Sequence, residues 1–542
     1  MTARVVPRTA EAGATQREVE TYSANEGEAS VTFQSILFER PAGGAGDEDV
    51  RMPDFFADLY LDQIVDAITA GKKEYNLQPF FLVPLKSVEA IEYRQEIMRD
   101  LDNAGPHDTV KSFARKMRTM RGYLETAAKS SYKYNKQGWF LSAVEVYCEA
   151  VSDLASDLSR SELKSRGLSA FLEYLKEYEA SDDFAALVAE VGNLRADLSS
   201  IEYCLLISKD HNKFTVRKYE GEADYTPDVV STFEKFAHGA SKNYTVKFTE
   251  WPDMNHIEAA VIDLVARLYP DTFQRLEDCC AKHADYVDKT ISRFDREVQF
   301  YLAYQEFMEP FKWTGLQFCY PRVSGKTKEV QSHEGFDLAL ANKLIGEKSP
   351  VVCNDFFLEG DERIFVVNGP NQGGKTTFAR AFGQLHYLAS LGCPVPGRDA
   401  QVFLFDRIFT HFEREEDINN LRSKLEDDIF RIHSILSEST PNSIIIINEL
   451  FSSSAVQDAV FLGKAILEQI IQRDALCVYV TFLDELSLLE KTVSVLSTVV
   501  PENPEMRTYK IVRRPADGLA YAVAIAKKYE LSYERITERI QP

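Results

Sequence analysis

Residues 369 to 377 read Gly369, Pro370, Asn371, Gln372, Gly373, Gly374, Lys375, Thr376, Thr377, a G-x-x-x-x-G-K-T pattern. Glycines at those places let the backbone fold into a cup of N–H donors around phosphate oxygens. Lys375 is long enough to reach the β- and γ-phosphates, and the Thr376 hydroxyl can ligate magnesium. The apolar run "RIFVV" precedes the pattern and a long helical stretch follows it. Bound phosphates would then lie at a helix N-terminus, where the dipole favours negative charge. The expectation is a nucleotide-binding loop.

A second stretch, "SIIIINELFSSS" at 443–454, is an apolar β-branched run that ends in Asn448 and Glu449. Many ATPases place Asp-Glu at the end of such a buried strand, the Asp near magnesium and the Glu beside the attacking water. Asn448 keeps a carbonyl oxygen for a metal-bound water but carries no negative charge. Beside a P-loop, Glu449 is expected to orient or deprotonate that water. The plainer alternative is a carboxylate solvated at a strand end.

Basic side chains gather in "SKDHNKFTVRKY", where Lys209, His211, Lys213, Arg217 and Lys218 stand among Phe214 and Tyr219. Such a patch suits phosphate contacts on a nucleic-acid backbone. It equally suits a solvated hairpin whose charges keep a strand edge from aggregating. A further basic run, Arg115 to Lys136, reads as the solvated face of a long helix.

Around these residues, 62 Lys and Arg against 84 Asp and Glu leave a net charge of −22. That argues against a protein that coats nucleic acid without regard to sequence, because such affinity comes from basic charge. The 8 cysteines form no C-x-x-C pair or zinc-spaced cluster, so reduced thiols are expected. No signal peptide or membrane-length apolar run is present in the sequence. A soluble, cytoplasmic protein without membrane contact is expected.

A chain of 542 residues exceeds one ordinary core. Residues 1–50 read as a disordered tail, although "VTFQSILFER" has the pattern of a short strand or packed arm. Residues 51–199 carry apolar residues at helical spacing, and 200–250 shift to short strands around polar turns. Within 251–334, one helix from Thr272 to Glu309, stopped by Pro310, would be a strut about 57 Å long. Residues 335–542 alternate strands and helices as an α/β domain does.

Three stretches, "NDFFLEGDERIFVVNGPNQGGKTT", "DRIFTHFEREEDINNLRSK" and "SIIIINELFSSSAVQDA", resemble the ATPase domain of the MutS family of DNA mismatch-repair proteins. Upstream, "IEYRQEIMRDL" is similar to that family's core helices. The resemblance implies a multidomain α plus α/β fold: a helical core and lever domain with a small β clamp insertion, then an ABC-type P-loop NTPase domain with a mixed sheet. It also implies ATP and Mg2+ at the site, and DNA held by the clamp at Lys209, Lys213, Arg217 and Lys218. Repair-protein partners and a homodimer are implied too. In that dimer Arg422 and Ser423 of one subunit would complete the P-loop of the other.

Departures from the family pattern are specific. Its Asp-Glu is Asn448-Glu449, its signature Ser-Gly is Asn420-Leu421, its "GRGTS" is "FSSSA", and its strand-end His is Phe482, while Asp458 matches. The stretch before Met52 is too short for the two N-terminal domains of mismatch-reading members, so a short member lacking them is expected. The expected function is a DNA-binding ATPase, slow and DNA-linked, that switches a dimeric clamp in DNA repair or recombination. The alternative is a nucleotide-gated scaffold with negligible turnover that recruits proteins.

Overall fold

Between residues 51 and 199 helices form where apolar residues recur every third or fourth position. In Leu61–Thr69 the residues Leu61, Ile64, Val65 and Ile68 are buried on one face. The helices Val88–Leu101, Arg166–Glu179 and Asp182–Ser199 begin at Ser87, Ser165 and Ser181, whose side chains accept hydrogen bonds from first-turn N–H groups. Two longer helices, Ala104–Lys129 and Lys133–Arg160, pack along each other. The computed structural model describes residues 33–39, 51–207, 214–223, 227–228, 231, 254–413, 423–451, 454–500, 503–515 and 536–537.

The expected strut is two helices, Pro270–Lys282 and Lys289–Trp313. Asp288 starts the second, its carboxylate accepting from the N–H groups of Thr290 and Ile291. Pro310 does not stop this helix. It lies within the final turn, where its missing N–H removes one bond and the chain stays helical to Trp313. Nor is Lys289–Trp313 a strut, since Phe294, Val298, Phe300, Tyr301, Leu302 and Tyr304 are all buried. Apolar residues surround its axis, and a helix apolar on all sides belongs inside a core.

Glu297 on this helix holds residues 33–39, the described part of the stretch with the pattern of a short strand or packed arm, and the rest of 1–50 lies outside the described residues. Its buried carboxylate accepts from Ser35 Oγ at 2.8 Å and Ile36 N at 2.9 Å. Tyr93 OH donates to the Ser35 carbonyl and Arg94 Nε to that of Leu37. Residues 33–39 are thus a packed arm, because a buried carboxylate needs donors and this segment supplies them. In the basic run Arg115, Arg118, Lys129, Lys133 and Lys136 are exposed, as on a solvated face, although the run spans two helices and Arg121 turns inward. Arg121 pairs with Asp295, which is buried, and Arg118 pairs with Glu74.

Strands β1 (Tyr203–Ile207) and β2 (Phe214–Lys218) form an antiparallel hairpin, followed by the helix His256–Leu268. Next come β3 (Phe318–Cys319), β4 (Arg322–Ser324), β5 (Val330–Gly335), β6 (Asn354–Leu358) and β7 (Ile364–Asn368). The strands β8 (Val395–Pro396), β9 (Asp399–Phe403), β10 (Ile408–His411), β11 (Ile444–Asn448), β12 (Leu476–Val480), β13 (Thr492–Val500) and β14 (Asn503–Arg513) complete the set. One sheet has the order β10-β11-β12-β7-β13-β14, parallel except for antiparallel β14. A smaller sheet runs β4-β9-β5-β6, and β3 pairs with β8.

Four successive isoleucines suit β11 because both faces of its sheet are covered. Ile444 and Ile446 face the core beside the helix Lys375–Ser390, whereas Ile445 and Ile447 pack with Ile432 and Leu467 of the helices Lys424–Glu438 and Val456–Arg473. The helix Lys375–Ser390 also contacts the helical region. Arg380 and Gln384 donate to the carbonyls of Asp58 and Leu59, and Tyr387 donates to that of Phe81. A Cβ on Gly383 would come within 2.7 Å of Leu59 and 2.9 Å of Ile446. Glycine there allows the close approach of three elements.

Candidate nucleotide-binding site

The strand β7 is buried along its whole length and delivers the chain to Gly369. Gly369 and Gly374 have φ of 121° and 96°, a region that side-chain-bearing residues rarely enter. A Cβ on Gly373 would stand 2.3 Å from Ser497 Oγ, and that hydroxyl donates to the Gly373 carbonyl. Ser497, fully buried on β13, therefore cinches the loop to the sheet. No motif in the sequence marked it, because its role depends on strand pairing between β13 and β7.

Lys375 heads its helix and is 4% exposed at the side chain. Its Nζ donates to the carbonyls of Gly369 at 2.9 Å and Pro370 at 3.2 Å. The same ammonium lies 3.9 Å from the centre of the Phe482 ring and 4.0 Å from Glu449 Oε1. Burial pulls the Lys375 pKa down to about 8, against the opposing pull of the Glu449 carboxylate. Sequence comparison marked Phe482 as a departure, but not as a cation–π partner of Lys375.

Thr376 Oγ1 donates to Asn448 Oδ1 at 2.9 Å. Asn448 ends β11 opposite Val480, and the next residue, Glu449, turns at φ 56° while its N–H donates to the Val480 carbonyl. Glu449 is 27% exposed at its side chain. It faces a cavity of 1180 Å³ also lined by His411, Glu413, Ser423, Asp427 and Asp428, and by none of residues 369–377. Ser423 caps the helix Lys424–Glu438, its Oγ accepting from Glu426 N. Arg422, Asn420 and Leu421 lie outside the described residues.

The donor set suits a magnesium nucleotide. Two hard neutral oxygens, Thr376 Oγ1 and Asn448 Oδ1, sit together beside an ammonium and a glycine cradle. Asn368, the residue before the cradle, is 1% exposed, and neither of its side-chain amide atoms has a hydrogen-bond partner. Buried amides are seldom left this way without a water or ligand to meet them.

On the hairpin, Arg217 and Lys218 are both exposed, but successive strand residues face opposite sides. Lys218 Nζ lies 5.1 Å from the Tyr269 ring centre. The structure therefore does not place these two on one surface, and Lys209 and Lys213 lie outside the described residues. All eight cysteines are free, and no helix among the described residues is long and apolar enough to cross a membrane.

Residues 365–538 match the family model described as MutS domain V. Among similar curated proteins, a DNA mismatch repair protein MutS of Thermotoga sp. (strain RQ2) is 31% identical over 207 residues, covering 37% of this chain and 26% of that protein. The DNA mismatch repair protein MutS of Chloroflexus aurantiacus is 28% identical over 252 residues, 46% of this chain and 24% of its own. That of Petrotoga mobilis is 23% identical over 232 residues, 43% and 27%. The chain spans about a quarter of the length of the curated relatives it matches.

Proposed function

We propose that this chain, whose residues 365–538 match the MutS domain V family model, is a DNA-linked ATPase with slow turnover. ATP binding at residues 369–377 switches a homodimeric clamp on DNA during repair or recombination. The observation that carries the reading is the Thr376–Asn448 hydrogen bond, with Glu449 adjoining it and Lys375 within 4.0 Å of Glu449. Bound Mg2+ would supply positive charge to the phosphate oxygens, held by Thr376 and, through water, by Asn448.

Lys375 exchanges the carbonyls of Gly369 and Pro370 for phosphate oxygens. Glu449, set at a strand end with its carboxylate partly open, orients or deprotonates the attacking water. Arg422 and Ser423 of the partner subunit complete the site. Gly383, wedged between Leu59 and Ile446, supports a mechanical route. A shift of β11 on nucleotide binding meets the P-loop helix and the first helices of the core at one point.

A scaffold that binds ATP with negligible turnover is the second reading. It is favoured by the neutral Asn448 and by Lys375 stacked on Phe482. Steady-state ATPase measured with duplex, mismatched, forked and junction DNA separates the two. Turnover stimulated by one of these and lost in Glu449→Gln supports the enzyme, and turnover indifferent to Glu449→Gln leaves the scaffold.

A further inference from the structure

We propose that Glu190, Cys279 and His283 form a binding site for a thiophilic divalent cation of the zinc type, joining the helix Asp182–Ser199 before the β1–β2 hairpin to the helix Pro270–Lys282 beyond it. Cys279 and His283 are four residues apart at the C-terminal end of the helix Pro270–Lys282, so they stand one above the other on one face. Glu190 reaches them from the helix Asp182–Ser199. One ligand atom from each residue lies within 4.8 Å of the other two. In a tetrahedron with bonds of about 2.0–2.3 Å the ligand atoms are about 3.3–3.7 Å apart.

The chemistry of each group fits. His283 Nε2 already faces Glu190 Oε2 at 3.0 Å, and its ring is 14% exposed, which leaves a path for a hydrated ion and a fourth position for water. The Glu190 carboxylate oxygen that faces His283 also faces Lys282 Nζ, so it is already turned toward positive charge. Cys279 is 1% exposed, so its sulfur is screened from water beside the other two groups. A ligating thiol gives up its proton, so the S–metal bond forms as that proton leaves to solvent. Lys282 Nζ, 2.6 Å from Glu190 Oε2, is the competing cation, and its side chain is 61% exposed and free to swing away.

The chain from Glu190 to Cys279 contains the whole hairpin. A cation there would tie the stem entering the β insertion to the stem leaving it. That consequence is independent of what occurs at the nucleotide site.

The test uses the full chain stripped of metal, with Zn2+ chloride followed by calorimetry and Co2+ chloride followed by absorption. The expected result is one zinc per chain bound tighter than about 1 μM, with proton release and a cysteinate-to-cobalt charge-transfer band. Cys279→Ser should abolish the band, and both it and His283→Gln should weaken zinc by more than the roughly 10–100-fold typical of an outer partner. Cys280→Ser should change neither, and Lys282→Ala should strengthen binding by removing the rival cation. A band that survives Cys279→Ser, or zinc binding weakened by Lys282→Ala, overturns the site. So does the absence of saturable binding in the wild-type chain. Circular dichroism of each metal-free variant establishes that it is folded, and Glu190→Gln serves if Cys279→Ser is not.

Discussion

Thr376 Oγ1 and Asn448 Oδ1 are joined by a 2.9 Å hydrogen bond between the first turn of the P-loop helix and the end of β11. The amide oxygen occupies the acceptor place that a carboxylate would fill, so geometry is retained and only the charge is missing. Asn448→Asp is expected to lower the magnesium concentration for half-maximal activity by about 10–100-fold, the scale of a lost outer partner. Glu449→Gln is expected to abolish turnover while leaving nucleotide binding intact. A magnesium titration of ATPase activity checks the first and equilibrium binding the second. An unaltered magnesium requirement in Asn448→Asp would remove Asn448 from the metal account.

Lys375 supplies a pH signature. Its pKa in the nucleotide-free protein is lowered to about 8, chiefly by burial. A polyphosphate beside the ammonium favours its charged form, so binding raises that pKa. Below about 8 the lysine is protonated before and after binding and affinity does not depend on it. As pH rises through about 8, binding takes up a proton and affinity falls. Calorimetry near pH 9 in buffers of different ionisation enthalpy should register that uptake, and Lys375→Met should lose it. The same depression makes folded-state stability rise with pH between about 8 and the unfolded value of about 10.4, because the unfolded chain then binds more protons.

Ser423 lines a cavity that none of residues 369–377 enters and that Glu449 of the same chain also lines, so action across a dimer needs a direct test. A Lys375→Ala chain mixed with a Ser423→Ala chain should recover ATPase activity that each lacks alone. Because Ser423 caps a helix, its removal also costs about 1 kcal/mol of stability. Thermal melts must therefore accompany the activity measurement. Exchanged subunits with no recovered activity would count against a site shared between protomers.

Lys213→Ala with Arg217→Ala should weaken DNA binding alike on all sequences. The log–log salt slope should become shallower by about two, one for each lost phosphate contact. Lys218→Ala, on the opposite strand face and beside Tyr269, should have the smaller effect. Fluorescence anisotropy over a salt series reads the slope. A slope unchanged in the double variant excludes the hairpin from DNA contact.

The amino-acid sequence by itself determined the P-loop, its strand and helix, and the pairing of Asn448 with Glu449 at a strand end. These depend on neighbours within a few residues: glycines that permit positive φ, a lysine at a helix start, an apolar run that must be buried. Periodicity, which is local, also marked the apolar spacing of the helices within 51–199. Contacts between distant residues were decided by tertiary structure alone. Ser497 reaches Gly373 through strand pairing, Phe482 meets Lys375 because β12 lies beside β7, and Glu297 draws residues 33–39 into the core. The expected strut illustrates the same division. Its apolar spacing was visible, yet the break at Asp288 depends on a competing side-chain cap and the burial of Lys289–Trp313 on what surrounds it. A periodic pattern states which face is apolar, and only packing decides how many faces are covered.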